Sequence, residues 1–202
     1  MIIGLTGGIC SGKTKISNYL SDLGAEILDA DEVARSVVHP NSPILNELVS
    51  SFGTDILNPD NTLNRSKLAS IVFNNKNALK KLNKIIHPKI IKIISDKIQE
   101  HRQKKEKNIM ILSAPLLIET KLYELVDKIW VVDVNPKTQI QRLIHRDNLT
   151  EEEASKRIQS QMPAEERLKF ADDIIYNSGS WGETRIQIQQ LWDKYSKQHS
   201  KR

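Results

Sequence analysis

The stretch that decides the fold is GGICSGKT, residues 7–14, which directly follows the apolar segment MIIGLT, residues 1–6. It matches the G-x-x-x-x-G-K-[ST] pattern of a phosphate-binding loop, in which backbone N–H groups turn towards an anion. A strand before the loop and a helix after it would set the positive end of the helix dipole against phosphate oxygens. The alternative is a glycine-rich turn whose lysine faces solvent. We expect a nucleoside triphosphate site formed by Gly8, Ile9, Cys10, Ser11, Gly12, Lys13 and Thr14, with Lys13 on the phosphates and Thr14 on Mg²⁺.

Composition narrows the class of protein. A chain of 202 residues can bury one full core with a small inserted lobe, but it is short for two independent domains. Its 30 Lys and Arg against 25 Asp and Glu, with only 5% aromatics, suit an anionic small molecule better than a nucleic acid. The single cysteine suits a reducing compartment, and no run reaches the roughly 18 apolar residues of a membrane span. We therefore expect a cytoplasmic protein, monomeric or weakly homo-oligomeric, with no nucleic-acid or membrane partner.

Short apolar runs alternate with longer helical patterns along the chain. This alternation predicts an α/β fold with a five-stranded parallel sheet covered by helices on both faces. The phosphate loop at the end of the first run agrees with ligand binding at the carboxyl edge of such sheets. The predicted strands are residues 2–6, 25–28, 108–113, 128–134 and 173–176.

Helix signals occupy the segments between the runs. Asn135-Pro136 is typical of a helix cap followed by proline at the first helical position, and Thr150 with the three glutamates after it predicts a capping box. About 80 residues separate the second and third strands, far more than a simple crossover needs. We expect an inserted helical lobe that holds the phosphate acceptor. Its predicted helices begin near 31, cover 43–52 and 65–73, and then form a longer stretch interrupted at His87-Pro88, where a helix starts.

Five segments between residue 2 and about residue 179 form a recognisable series: IGLTGGI at 3–9, LDADEVAR at 28–35, HP at 87–88, PLLIE at 115–119 and the stretch 142–146. In order and spacing they resemble the dephospho-CoA kinase family. The resemblance implies transfer of the ATP γ-phosphoryl group to the ribose 3′-hydroxyl of dephospho-CoA, the last step of coenzyme A synthesis. It also implies one P-loop kinase domain, with a core at 1–30, 108–147 and 166–202, a helical CoA-binding lobe at about 31–107 and a lid at about 148–165.

To catalyse phosphoryl transfer, a protein mainly aligns the acceptor oxygen and neutralises the charge on the phosphoryl oxygens. Covalent catalysis is hardly required. A carboxylate after the second strand could orient the acceptor hydroxyl and take its proton. Of Asp29 and Asp31, the resemblance implies that Asp31 is the base, although an aspartate there could also cap the next helix. Asp29 could support the loop or a metal-bound water.

Arginines supply the positive charge that the transferring group needs. Arg142 and Arg146 lie four residues apart and can project from one helix face towards the γ-phosphoryl, in the manner of lid arginines. Arg157 is a weaker candidate. The alternative is a surface ion pair with Asp147 and nearby glutamates. We expect Arg142 and Arg146 to be catalytic together with Lys13 and Asp31.

Acceptor and adenine contacts follow from the resemblance. Arg35, Arg65 and Lys67 could bind the acceptor phosphates, and the apolar corner at Leu116 suits packing against a ribose or adenine. We also expect His87 to line the acceptor site, although a structural role is open for it. Asn177 and Gly179 follow the last strand and are expected at the ATP adenine, unless they form only a turn.

Two departures from the family pattern affect the phosphate loop. Cys10 stands where the family usually has glycine, so the loop must accept a Cβ there, and a lowered thiol pKa would make the residue oxidisable. Thr14 stands where serine is common and keeps the hydroxyl for Mg²⁺. The third strand, at 109–113, also has no acidic residue at its end that could bind the metal. The metal would therefore rely on Thr14, phosphate oxygens and water.

Other classes of protein share part of this pattern. Kinases of nucleosides, shikimate or gluconate share the loop but not the later segments. A regulatory or RNA-associated NTPase would need a water-positioning residue and an acidic metal strand, and the third strand supplies neither. A binding module without turnover is disfavoured by the separate acidic, arginine and lobe features.

Overall fold

The computed structural model describes residues 1–73, 75–104 and 108–200. The chain forms a five-stranded parallel sheet with strand order β2-β3-β1-β4-β5. This confirms the predicted α/β fold, and it places the phosphate loop after the central strand, β1. The strands are β1 (Ile2–Gly7), β2 (Glu26–Asp29), β3 (Met110–Ser113), β4 (Lys128–Asp133) and β5 (Asp173–Tyr176).

The helices begin and end close to the positions that local signals predicted. The Asn135 side chain caps α6 by accepting from the Thr138 backbone N–H at 2.8 Å. Thr150 and Glu153 form the predicted capping box at the start of α7. The helices are α1 (Lys13–Asp22), α2 (Ala30–Ser36), α3 (Pro43–Phe52), α4 (Arg65–Phe73), α5 (Lys76–Gln103), α6 (Pro136–Asp147), α7 (Glu151–Gln159), α8 (Ala164–Leu168) and α9 (Trp181–Ser200).

The chain divides into two compact units. The first contains Met1–Asp29 and the described residues from Ile98 onward, and its core packs Trp130, Ile111 and other strand residues against α1 and α9. The second contains Ala30–Lys97, and its helices enclose a separate cluster around Leu48. The functional division into CoA-binding lobe and lid stays a prediction. Residues 74 and 105–107, in the predicted lobe, and 201–202, at the end of the predicted core, lie outside the described residues.

The prediction that a helix starts at His87-Pro88 is wrong, because α5 runs through Pro88 without a break. An interior proline lacks its backbone donor and costs a helix about 3 kcal/mol. Ile86, on one side of Pro88, and Ile90 and Ile93, on the other, pack against the same apolar cluster. Full burial of one isoleucine is worth about 1.5–3 kcal/mol, so several partly buried ones outweigh the proline.

Candidate active site

The phosphate loop has the predicted strand–loop–helix geometry. It leaves β1 at Gly7, closes with a hydrogen bond of 3.1 Å from the Ser11 N–H to the Gly8 carbonyl, and enters α1 at Lys13. Gly12 has φ 93°, a left-handed conformation that favours glycine. The Lys13 ammonium donates to the Gly7 carbonyl at 2.8 Å, so the lysine folds back over its own loop. Lys13 and the N–H groups at the start of α1 thus form an anion site.

The Asn177 side chain supports the phosphate loop through a hydrogen bond. This side chain is buried, donates from Nδ2 to the Ser11 carbonyl at 2.7 Å and accepts from the Thr184 hydroxyl at 2.9 Å. A methyl group on Gly12 would collide with this amide, which is a second reason for glycine at that position. The sequence placed Asn177 at the adenine; in the structure its amide is committed to the loop and α9, because it is buried between them. An adenine contact of its side chain would require it to give up these bonds.

Gly179 lies in an exposed turn before α9. A methyl group there would collide with the carboxylate of Glu183, which accepts from the Ser180 N–H at 2.7 Å. The local packing therefore explains the glycine by itself. Its contact with the adenine stays a prediction.

Two glutamines that the sequence analysis missed hold Ile9 on both sides. Gln139, on α6, donates from Nε2 to the Ile9 carbonyl at 2.8 Å, and Gln161, after α7, accepts from the Ile9 N–H at 2.8 Å. Both contacts join residues more than a hundred positions apart, so no local pattern marks them. The available signal was that Gln139 lies one turn before Arg142 on the same helix face.

Cys10 has φ 57°, a conformation that costs a residue with a Cβ roughly 1–2 kcal/mol. Burial raises the pKa of its thiol, and this outweighs the lowering by the positive charges of Arg146, Arg142 and Lys13. The expectation of a lowered thiol pKa is therefore wrong, because desolvation disfavours the thiolate more than these cations stabilise it. The bonds to the neighbouring Ile9 help to hold the strained backbone in place.

The positive charges of the two α6 arginines, Arg142 and Arg146, both act on the Cys10 thiol. Arg146 also binds Asp147 through Nε at 2.8 Å, and Arg157 binds the same carboxylate at 2.7 Å. The surface pair considered as the alternative is thus present. The Arg146 and Arg157 side chains are 54% and 46% exposed, so solvent screening weakens the pairs and leaves these arginines able to turn to a phosphate. Their catalytic role stays a prediction.

A further arginine beside the loop was missed as well. Arg167, on α8, is only 6% exposed, and its Nη2 donates to the Met162 carbonyl at 2.7 Å. A methyl group built on Gly8 would lie 3.3 Å from its Nη1. No sequence pattern marks this burial, because α8 has only five residues and two of them, between Ala164 and Arg167, are glutamates.

The predicted acceptor residues fall in both units. Leu116, in the first unit, is 45% exposed after β3. In the second unit, Asp31 lies in the first turn of α2 and Arg35 in its last turn. Arg65 lines a cavity of about 220 Å³ whose walls are otherwise apolar, including Ala34, Leu68 and Leu82. His87 lies inside α5, and burial lowers its pKa.

The described residues contain no group of three or more His, Cys, Asp or Glu that could hold a metal ion. The expectation that Thr14, phosphate oxygens and water would hold Mg²⁺ stays a prediction. Thr14 lies in the first turn of α1 and is exposed, so its hydroxyl is accessible. Within the described ranges, no helix is both long enough and apolar enough to cross a membrane.

Comparisons with known proteins agree with one another. The family model for dephospho-CoA kinase matches residues 1–183. The dephospho-CoA kinase of Bacillus thuringiensis subsp. konkukian is 44% identical over 196 residues, which cover 97% of this chain and 98% of the relative. The structure of dephospho-CoA kinase from Campylobacter jejuni superposes with TM-score 0.76 at 31% identity, covering 97% of both chains.

A more distant structure shares the fold alone. The shikimate kinase of Acinetobacter baumannii superposes with TM-score 0.52 at 17% identity, covering 97% of this chain and 93% of its own. The family model and the relatives above 30% identity are decisive, because they span nearly the whole chain. The chain therefore belongs to the dephospho-CoA kinase family, a family of ATP-dependent phosphotransferases.

Proposed function

We propose that this chain transfers the γ-phosphoryl group of ATP to the ribose 3′-hydroxyl of dephospho-CoA. The observation that carries the proposal is the intact phosphate loop at residues 7–14, in a chain of this family. The loop supplies N–H groups and the Lys13 ammonium to the phosphates. On binding, phosphate oxygens take the place of the Gly7 carbonyl that Lys13 now contacts.

Asp31 is the proposed base. As the 3′-oxygen forms its bond to the γ-phosphorus, the bond from that phosphorus to the bridging oxygen of the ADP β-phosphate breaks, and the hydroxyl proton passes to the Asp31 carboxylate. A carboxylate suits this role because the loose transition state needs orientation more than strong basicity. Asp31 is exposed in the first turn of α2, so its side chain is accessible to an acceptor.

Positive charge stabilises the transferring group. Arg142 and Arg146 turn from their contacts on α6 towards the γ-phosphoryl, where bidentate guanidinium bonds are strongest. Mg²⁺, held by the Thr14 hydroxyl together with phosphate oxygens, would neutralise part of the phosphate charge. The segment at 148–165 acts as a lid that excludes water from the phosphoryl group.

Five residues are proposed to bind the acceptor. Arg35, Arg65 and Lys67 meet its diphosphate, while His87 and Leu116 contact its less polar parts. Asn177 and Gly179 lie near the ATP adenine. Asn177 contributes indirectly, because its side chain donates to the Ser11 carbonyl and so supports the phosphate loop. The enzyme acts in the cytoplasm on this small-molecule substrate, as a monomer or weak homo-oligomer without a nucleic-acid or membrane partner.

An ADP-release assay tests the function directly. Purified protein with ATP and Mg²⁺ is offered dephospho-CoA, adenosine, AMP or shikimate in parallel. We expect rapid ADP release only with dephospho-CoA, and a Lys13→Ala variant should lose at least about a thousandfold in kcat, because it loses a charge on the transferring phosphoryl. Lys15→Ala is the control, since Lys15 lies two residues further along the same helix with its ammonium 4.2 Å from the Trp181 ring.

Each outcome has a defined meaning. ADP release with shikimate at the dephospho-CoA rate would refute the acceptor assignment. Absence of ATP consumption with dephospho-CoA would refute the function as a whole. Equal activity in Lys13→Ala and Lys15→Ala would remove the phosphate loop from the mechanism.

A further inference from the structure

Arg167 is a buried cation without an ion pair. Its residue surface is 6% exposed, and among residues 1–73, 75–104 and 108–200 no carboxylate forms a salt bridge with it. Burial lowers its pKa, while the more distant charges of Glu119 and Asp133 raise it. An arginine keeps its charge at any ordinary pH, so this guanidinium is charged in a desolvated position.

The hydrogen bonds of Arg167 are also incomplete. Nη2 donates to the Met162 carbonyl at 2.7 Å, whereas the buried Nε has no partner among the described residues. A buried donor without an acceptor is costly to a folded protein, and more so when it carries charge. The protein would gain by replacing this arginine unless an acceptor arrives during its function.

The position of the side chain indicates which acceptor arrives. Nη1 lies beside the first turn of the phosphate loop, 3.3 Å from where a methyl group on Gly8 would stand. The same face of the loop carries the two glutamine contacts to Ile9. An anion bound in the loop could therefore compensate this charge, because a guanidinium binds phosphate oxygens with paired, charge-assisted bonds.

We propose that Arg167 is a phosphate ligand of the bound nucleotide, donating to a non-bridging oxygen of the triphosphate tail. It supplies a fixed charge that is already desolvated before ATP binds. It differs in this from Arg146, which is exposed and paired with Asp147. The inference rests on the nucleotide site of the proposed function, but not on the identity of the acceptor.

Calorimetric titration of ATP without acceptor, combined with thermal unfolding, tests this role. In Arg167→Met we expect the ATP Kd to rise about tenfold to a hundredfold, the effect of losing charge-assisted bonds. The melting temperature without ATP should not fall, because the variant no longer buries an unpaired charge. The rise in melting temperature on adding ATP should shrink accordingly.

Arg102→Met is the matched control. Arg102 also donates to a backbone carbonyl, that of Leu125 at 3.2 Å, but it is exposed and pairs with Asp127 at the start of the sheet. Its ATP Kd should stay within about twofold of the parent value, the scatter expected for a surface change. Arg167→Gln, which keeps a donor for the Met162 carbonyl but has no charge, should weaken ATP as Arg167→Met does.

The opposite pattern overturns the inference. If Arg167→Met melts lower without ATP while its ATP Kd equals that of the parent, the arginine only anchors Met162. If Arg167→Met does not fold, Arg167→Gln decides, and an unchanged ATP Kd in that variant rejects the role. A parent protein that does not bind ATP would instead refute the nucleotide site itself, so the two failures are distinguishable.

Discussion

Charged side chains have different partners at the two edges of the parallel sheet, where the strands begin and where they end. At the amino edge, carboxylates cap the strands and meet cations. Asp127 accepts from the Ile2 N–H at 2.7 Å and from Arg102 at 3.1 Å. Asp172 accepts from the Ile129 N–H at 2.8 Å and from Lys128 at 2.6 Å. The charges here are already satisfied within the protein.

At the carboxyl edge, four cations interact with the phosphate loop or lie beside it. Lys13 folds onto carbonyl oxygens, and Arg167 is buried without an ion pair among the described residues. Both Arg142 and Arg146 act on the same Cys10 thiol. The difference indicates which charges stabilise the fold and which are placed to bind a ligand. Changes at the carboxyl edge should therefore alter binding and catalysis, and changes at the amino edge should alter stability.

The largest effect within this comparison is expected from Asp31→Asn, in the first turn after β2. Asparagine keeps the size of the side chain but cannot accept a proton, so kcat should fall by two orders of magnitude or more. The ATP Kd should stay within about threefold of the parent value, since the phosphate loop is intact. Steady-state kinetics with dephospho-CoA and calorimetric titration of ATP give the two numbers.

Glu32→Gln is the matched control for Asp31→Asn. Both acidic residues lie in the first turn of α2, so both changes remove a favourable interaction with the helix dipole. If helix stabilisation were the role of Asp31, the two variants would behave alike. A near-normal kcat in Asp31→Asn would remove it from the mechanism.

Local signals predicted much of the fold but little of the support around the loop. The bounds of α3, α4 and β5 agree with the prediction, because proline, capping residues and apolar runs act within a few positions. The prediction of a helix start at Pro88 failed because packing of the residues on both sides of Pro88 overrides its local effect on the helix. The contact of Gln161 with Ile9 joins residues 152 positions apart, and no sequence pattern encodes such a pairing.

Gln139→Ala should have an intermediate effect at the carboxyl edge. It removes the donor to the Ile9 carbonyl and leaves the loop less well fixed around the strained Cys10. The loss of one hydrogen bond, about 0.5–1.5 kcal/mol, should raise the ATP Kd roughly twofold to tenfold with little change in kcat. Calorimetric titration and kcat measurements test this.

Gln141→Ala provides the comparison for Gln139→Ala. Gln141 is exposed on the same helix. Both variants therefore gain the higher helix propensity of alanine, but only Gln139→Ala loses the contact with the loop. Its ATP Kd should equal that of the parent. Identical ATP affinity in the two variants would show that the contact to Ile9 does not hold the loop for nucleotide.

The smallest effect is expected at the amino edge, from Glu26→Gln. Glu26 accepts from the buried His101 at 2.8 Å and from Lys104 at 3.0 Å. Burial by itself would raise the pKa of Glu26, but the hydrogen bonds from Lys104 and His101 outweigh it and leave this pKa below its usual value. Because Glu26 is partly exposed and screened by solvent, the free energy of unfolding should fall by less than about 1 kcal/mol at pH 7.

The pH dependence of this loss separates charge from packing. A carboxyl group whose pKa is lowered by folding contributes stability above its unfolded pKa of about 4.3, and the contribution disappears as pH falls through the lower folded pKa. Urea unfolding of the parent and Glu26→Gln should therefore converge below pH 4, while kcat at pH 7 is unchanged. Glu100→Gln, an exposed change on α5, should show no such convergence. A parent-to-variant gap for Glu26→Gln that is constant with pH would instead assign the effect to packing, and the amino edge would lose its electrostatic contrast with the phosphate loop.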